Sequence, residues 1–262
     1  MQFQLILESN TPAIIGLNYQ YPLSAAIYKI IQQSDEVYAR FLHNAGYTSG
    51  FKSFKLFTFS NLNIPFEIKG DRMICTTNRA TLLTCFHMPD AATHFIKGIF
   101  LHQQITIADS RSKAHFMIKE VQLLPTPKLD AIATLWFVPA SPLVTGLKNN
   151  RGYYDYMSPL DQGYENSIRY NLVEKWNSIH PLSTEEKQQL FETIQIKTAY
   201  YATPPRHRLI TIKQNTPEET KIRGYEKFKI QIKSPAPIIE FAMNAGLGIY
   251  NAMGMGCIKP LE

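Results

Sequence analysis

Three groups of residues in this 262-residue chain could do chemistry, and each implies a different partner. His43 closes the run "EVYARFLHN", in which Val37, Tyr38, Phe41 and Leu42 recur at helical spacing. That places an imidazole at a helix C-terminus, where the macrodipole favours a cation, and histidine as a residue type moves protons near neutrality. The plain alternative is a C-cap. His87, Asp90 and His94 stand at i, i+3 and i+7, as metal ligands on one helix face would, but Pro89 interrupts the helix and no further ligand lies nearby. No metal site is expected. The third group is the stretch "GLGIYNAMGMGCIKP", with Gly246, Gly248, Gly254 and Gly256. It reads either as tight turns joining the last helix to the last strand or as a loop whose bare amides face an anion. Its spacing fits neither G-x-G-x-x-G nor G-x-x-x-x-G-K-[ST], so no nucleotide cofactor, and no other cofactor, is expected.

Other chemistries find no foothold. There is no G-x-S-x-G elbow, and the 21 acids are spread along the chain instead of clustering beside strands as a two-metal nuclease requires. Cys75, Cys85 and Cys257 are widely spaced and odd in number, which predicts buried free thiols and no disulfide framework or zinc site. The apolar runs are too short to span a bilayer and the opening "MQFQLILESN" is unlike a signal peptide, so a cytoplasmic protein without membrane contact is expected.

Charge is unevenly placed. Between Lys197 and Lys233 nine Lys or Arg face three Glu, and that +6 equals the net charge of the whole chain. In "YEKFKIQIK" a period of two puts Lys227, Lys229 and Lys233 on one face and Phe228, Ile230 and Ile232 on the other. With Arg206 and Arg208 nearby, that face suits a phosphate backbone; the alternative is a solvated edge strand guarded by lysines.

The elements that must position these residues run in a repeated order. "FQLILES" reads as a first strand, Leu23 to Ile31 as a helix, and Ser34-Asp35-Glu36 as the start of a second helix that Gly46 stops. "KLFTFSNL" and "PFEIKGDRMICTT" read as strands, residues 79 to 98 as partly helical, and "QQITIAD", "HFMIKEVQLL" and "AIATLWFV" as strands. Composition shifts at 139 to 163, rich in Pro and Gly, and the domain boundary is placed at its start. Beyond it come "YENSIRYNLVEKWNSI", a capping box at Ser183 and Glu186, the strands "IQIKTAYY", "HRLITIKQ" and "YEKFKIQIK", the helix "PAPIIEFAMNAG" and the strand "GCIKPL". Both halves follow βαββαβ order. The expectation is an α+β protein of two tandem ferredoxin-like, RRM-like domains, 1–138 and 139–262.

Four landmarks carry a family resemblance. "FLHNAGYTSGFKSFKLFTFS", "ASPLVTG", "NSIRYNLVEKW" and "GLGIYNAMGMGCIKP" resemble, in order, the Leu-His motif with its following strand, the Ser-Pro entry to the second domain, the Asn-Leu-x-x-Lys helix and the glycine-rich loop of the CRISPR repeat-processing endoribonucleases of the RAMP superfamily. Met255 departs from the pattern, standing where the family usually has an aromatic residue. The resemblance implies metal-independent cutting of repeat RNA in precursor transcripts by 2′-hydroxyl attack, leaving 2′,3′-cyclic phosphate and 5′-hydroxyl ends. It makes His43 the catalytic histidine, Tyr28 its opposing proton-transfer or positioning group, and Lys55 the cation at the phosphorane, with Tyr38 and Lys52 as rivals. The glycine-rich loop would lie against the RNA-binding face, giving Gly246, Gly248, Gly254 and Gly256 a share in RNA binding beside Arg206, Arg208, Lys227 and Lys229. Implied partners are CRISPR repeat RNA, with other interference-complex subunits or a second copy of the chain as further candidates. The alternative is a guide-RNA-binding scaffold subunit that does not cut.

Overall fold

The computed structural model describes residues 1–201, 203–213 and 216–261. Gln214, last residue of the expected strand "HRLITIKQ", and Glu262, the end of the expected second domain, lie outside them. The first half runs β1 (Gln2–Glu8), β2 (Ile14–Gly16), α1 (Gln20–Ser34), α2 (Glu36–Asn44), β3 (Tyr47–Ser49), β4 (Lys52–Phe54), β5 (Phe57–Phe59), β6 (Phe66–Lys69), β7 (Arg72–Cys75), β8 (Arg79–Phe86), α3 (Pro89–His102), β9 (Gln104–Ala108) and β10 (Lys113–Leu124). The second runs β11 (Ile132–Pro139), β12 (Gly146–Lys148), β13 (Tyr154–Tyr156), α4 (Tyr164–Asn177), α5 (Thr184–Thr193), β14 (Gln195–Tyr200), β15 (Arg206–Ile212), β16 (Thr220–Glu226), β17 (Phe228–Pro235), α6 (Ala236–Ala245), a 3-10 turn at Asn251–Met253 and β18 (Ile258–Pro260).

Two sheets repeat one topology. The first has the order β5-β8-β1-β10-β9 and the second β14-β17-β11-β18, so in each the first strand lies between the third and the last, with helices crossing one face. This is the ferredoxin-like arrangement twice over. Strand β11 pairs antiparallel with both β17 and β18, which makes it the opening strand of the second sheet. Sheet membership therefore begins ahead of position 139, because the Pro- and Gly-rich shift belongs to the β12–β13 hairpin inserted after that strand. Of residues 79 to 98, expected to be partly helical, 79 to 86 form β8 between β1 and β5, and Pro89 starts α3. From Leu82 onward β8 is buried on both faces, which erases the alternation that marks a half-exposed strand.

Local rules set the helices. Asp35 caps α2 by accepting from Tyr38 N at 2.8 Å, and Ser183 with Glu186 completes a capping box on α5. Leu5 and Leu7 of β1 pack with Leu23, Ile27 and Ile31 of α1 and Phe95 of α3, while Phe228, Ile230 and Ile232 of β17 pack with Ile168 and Leu172 of α4 and Phe241 of α6. Each such side chain contributes roughly 1.5 to 3 kcal/mol on burial.

The cores are stitched together. Leu56, at φ 52°, turns its side chain into the second core, whereas its neighbours Phe57 and Phe59 belong to the first. Ala252 reaches the other way and packs against the first core. The two cores thus interlock where Ser24, Thr58 and Phe59 meet the stretch from Gly246 to Met255.

Candidate active site

His43 occupies the last turn of α2 and is exposed, with its Nδ1 donating to Asn44 Oδ1 at 3.0 Å. In the neutral ring that bond selects the tautomer with the proton on Nδ1 and Nε2 as the acceptor. Tyr28, on α1, meets the His43 ring edge to face, with centroids 5.3 Å apart, and packs its other side on Phe57 at 5.4 Å. Burial pushes the Tyr28 phenol up, so its hydroxyl stays protonated and can donate.

Lys55 arrives from the β4–β5 connection. Its stem lies over Gly46, whose φ of 64° ends α2; a Cβ added there would come within 2.9 Å of Lys55 Cδ and 3.1 Å of Nζ. The ammonium is therefore held at the negative end of the helix that carries His43. Ser53 Oγ, 3.4 Å from Lys55 Nζ, donates in turn to the Ala45 carbonyl. Burial lowers the Lys55 pKa, and among the described residues no carboxylate pairs with it.

The rivals are committed elsewhere. Lys52 donates to Tyr170 Oη at 3.0 Å and to Glu174 Oε2 at 3.2 Å, bridging to α4. Tyr38 stacks on His94 at 4.9 Å and shares a hydrogen bond with Tyr47. His94 and His87 part company: the first faces Tyr38 and Ser34, while the second packs on Phe241, where burial lowers its pKa to about 4. Among the described residues no three His, Cys, Asp or Glu side chains converge as a metal-ligand set. The cysteines are buried free thiols, with Cys85 Sγ and Cys257 Sγ 3.9 Å apart across the domain junction.

The glycine-rich loop is closed, not open to an anion. All four glycines have positive φ and all four are buried. At Gly248 a Cβ would overlap the Val144 carbonyl, and the amides of Gly246, Gly254 and Gly256 donate to Ala242, Asn251 and Pro142 carbonyls at 3.0, 2.9 and 2.9 Å. Asn251 Nδ2 bonds the carbonyls of Leu247 and Met255, and Thr58 Oγ1 donates to Met255 O at 2.9 Å. Met255 itself is fully buried. So the loop walls the site by packing on β5 and α1, where Ser24 Oγ donates to Ala252 O at 2.6 Å. Lys175, from the Asn-Leu-x-x-Lys helix, is buried and donates to Gly246 O at 2.8 Å, and loss of solvent holds its pKa well below the usual value.

The basic residues divide. Arg206 and Lys227 are exposed, and Lys229 is half-buried with its ammonium 5.1 Å from the Tyr201 ring centre. Lys227, at φ 59°, is the kink between β16 and β17, so it does not share a strand face with Lys229 and Lys233. Arg208 donates to the Leu17 carbonyl at 2.7 Å and lies against Tyr19, tying the β15–β16 hairpin to the first domain.

Sequence reasoning treated Gly46 only as a helix stop. Its use as the seat of Lys55 depends on a tertiary approach that local spacing does not encode, although a glycine three residues after a helix-end histidine marked the spot.

Two ferredoxin-like sheets fused through a buried glycine-rich loop, with a histidine at the end of α2, define the class: a tandem ferredoxin-like protein. Residues 14–122 match the family described as CRISPR-associated protein Cas6, N-terminal, and residues 125–260 match CRISPR associated protein Cas6, C-terminal. The chain belongs to the Cas6 family. It is 24% identical over 267 residues to the CRISPR-associated endoribonuclease Cas6 1 of Methanocaldococcus jannaschii, covering 100% of this chain and 93% of that one. With the endoribonuclease Cas6 of Pyrococcus furiosus it shares 23% over 250 residues, 94% and 83% of the two chains. Among solved structures, a Cas6-related protein from Pyrococcus furiosus superposes with a TM-score of 0.79 at 17% identity, over 100% and 98% of the chains. A RAMP protein described as binding different RNA substrates gives 0.77 at 14%, over 100% of both. No described helix is long and apolar enough to cross a membrane.

Proposed function

We propose that this protein is an endoribonuclease that cuts CRISPR repeats within precursor transcripts without using a metal ion. The observation that carries the reading is the helix end of α2, where a histidine with a free Nε2, a protonated phenol and an unpaired ammonium gather in a chain of the Cas6 family. Each has work to do. His43 Nε2 takes the proton of the 2′-hydroxyl before the cut, and the 2′-oxygen attacks the adjacent phosphorus. Lys55 offsets the extra negative charge of the crowded phosphorane. The 5′-oxygen then leaves, taking a proton from the Tyr28 hydroxyl or from the His43 imidazolium, and the products carry a 2′,3′-cyclic phosphate and a 5′-hydroxyl.

For RNA contacts the reading favours Arg206, Lys227 and Lys229, whose ammonium and guanidinium groups face solvent or lie on an aromatic ring. Arg208 and the four loop glycines instead hold the surface in shape.

The test is to incubate the protein in EDTA with the repeat RNA of its own array, beside RNA carrying 2′-deoxy at the cut nucleotide. Cutting of the first alone supports the reading. Binding of both with neither cut assigns the chain to the non-cutting scaffold class, and cutting that EDTA abolishes calls for a metal mechanism.

A further inference from the structure

Beside the catalytic corner lies a cluster of aromatic side chains that the mechanism does not use. Tyr154 and Tyr156 of β13 stack at 6.1 Å and 19°, and Tyr250 of the glycine-rich loop meets Tyr154 edge to face, also at 6.1 Å. The hydroxyls of Tyr156 and Tyr250 lie 3.4 Å apart. Tyr250 is held at φ 62°, in the left-handed region that a tyrosine rarely adopts, and is half-buried against Val144, Ile210 and Met255. None of the three is fully buried, and Tyr153 at the hairpin tip is 73% exposed.

Cations frame these rings. Lys148 Nζ stands 5.7 Å from the Tyr154 ring centre, and Lys52 lies over Tyr170 at 4.2 Å while its charge reaches Tyr154. Two connections join the cluster to the site. Lys52 precedes Lys55 by three residues, and Ala252, two residues after Tyr250, is bonded to Ser24, one helical turn before Tyr28. Half-open rings with flanking ammonium groups are what single-stranded nucleic acid needs: a face for the base and a charge for its phosphate.

We infer that Tyr154, Tyr156 and Tyr250 form a stacking subsite for an unpaired nucleobase next to the scissile phosphate, with Lys148 on that nucleotide's phosphate. The subsite rests on the endoribonuclease reading and adds to it a positioning role: holding the neighbouring base fixes the 2′-hydroxyl in line with the phosphorus. It also predicts that the repeat is unpaired at that nucleotide.

The experiment uses repeat RNA with 2-aminopurine substituted in turn at the nucleotides flanking the cut. Wild-type protein is expected to quench one position on binding. Tyr154→Ala should remove that quenching and weaken RNA binding roughly 5- to 100-fold, with an unchanged slope of log affinity against log salt, because stacking releases no counterions. Tyr154→Phe, which keeps the ring, should behave as wild type, and Lys148→Ala should flatten the salt slope. Thermal midpoints of the variants matching wild type separate lost stacking from lost folding. Wild-type cutting without quenching at any flanking position, or Tyr154→Ala with wild-type affinity and cutting, overturns the subsite while leaving the endoribonuclease reading in place. Wild-type protein that neither binds nor cuts the RNA overturns both.

Discussion

The proposed catalytic corner and the glycine-rich loop are built from the same three parts: a helix C-terminus, a glycine at positive φ and a lysine. At the end of α2 they are Gly46 and Lys55; at the end of α6 they are Gly246 and Lys175. Burial lowers both ammonium pKa values, yet the outcomes differ. Lys175 is sealed off and spends its donor on the Gly246 carbonyl, closing the helix from within. Lys55 is half-open, with a hydroxyl at 3.4 Å as its partner, and so keeps donors for a ligand. One local device thus serves structure or chemistry according to how much solvent it retains.

The sharpest way to break this contrast is at the histidine. His43→Ala should slow single-turnover cutting by about 10² to 10⁴ while leaving RNA affinity within a few-fold, since positioned proton transfer contributes about that much; a rate near wild type would take the helix end out of the chemistry. On the loop side the expected loss is of folding. Gly248→Ala forces a side chain onto the Val144 carbonyl at φ 67° and should cost roughly 2 to 5 kcal/mol in urea titration. An unchanged midpoint would mean that the loop is not packed as described.

Lys175 gives a pH signature. Its folded pKa lies well below the unfolded value of 10.5, so between the two the unfolded chain binds more protons, and stability rises with pH. The rise should be at most about 1.4 kcal/mol per pH unit and should end near pH 10, where the tyrosines whose pKa burial raises begin to act in the opposite direction. Lys175→Met is expected to remove that slope, measured by denaturation from pH 7 to 10. The smallest effect belongs to Lys52→Ala: its partly exposed pair with Glu174 should be worth under about 1 kcal/mol, and cutting should fall far less than in Lys55→Ala. Equal losses in the two variants would erase the distinction between the lysines.

Local patterns made α1, the Asp35 cap, the Ser183 box and the β6–β7 hairpin legible, because each is decided by residues within one or two turns. What escaped was decided at a distance. β11 shows its allegiance only through partners near 230 and 260, and β8 hides its period between two neighbours. At the site, His43 could be placed on a helix end from spacing, while Tyr28 and Lys55 were reached through family resemblance. The glycine spacing could mark a special backbone but not which side its amides face, and the packing of Gly254 on the Phe59 ring is settled by residues almost 200 positions apart.

That separation has a consequence for how the protein is made. The wall beside the proposed site hangs on Thr58 bonded to Met255 and Ser24 bonded to Ala252, pairs 197 and 228 residues apart. At a translation rate of about 5 to 20 residues per second, the wall leaves the ribosome roughly 10 to 40 s after the floor it covers. A nascent chain therefore carries His43 long before the wall beside it exists, and the proposed site is complete only when synthesis has passed the glycines.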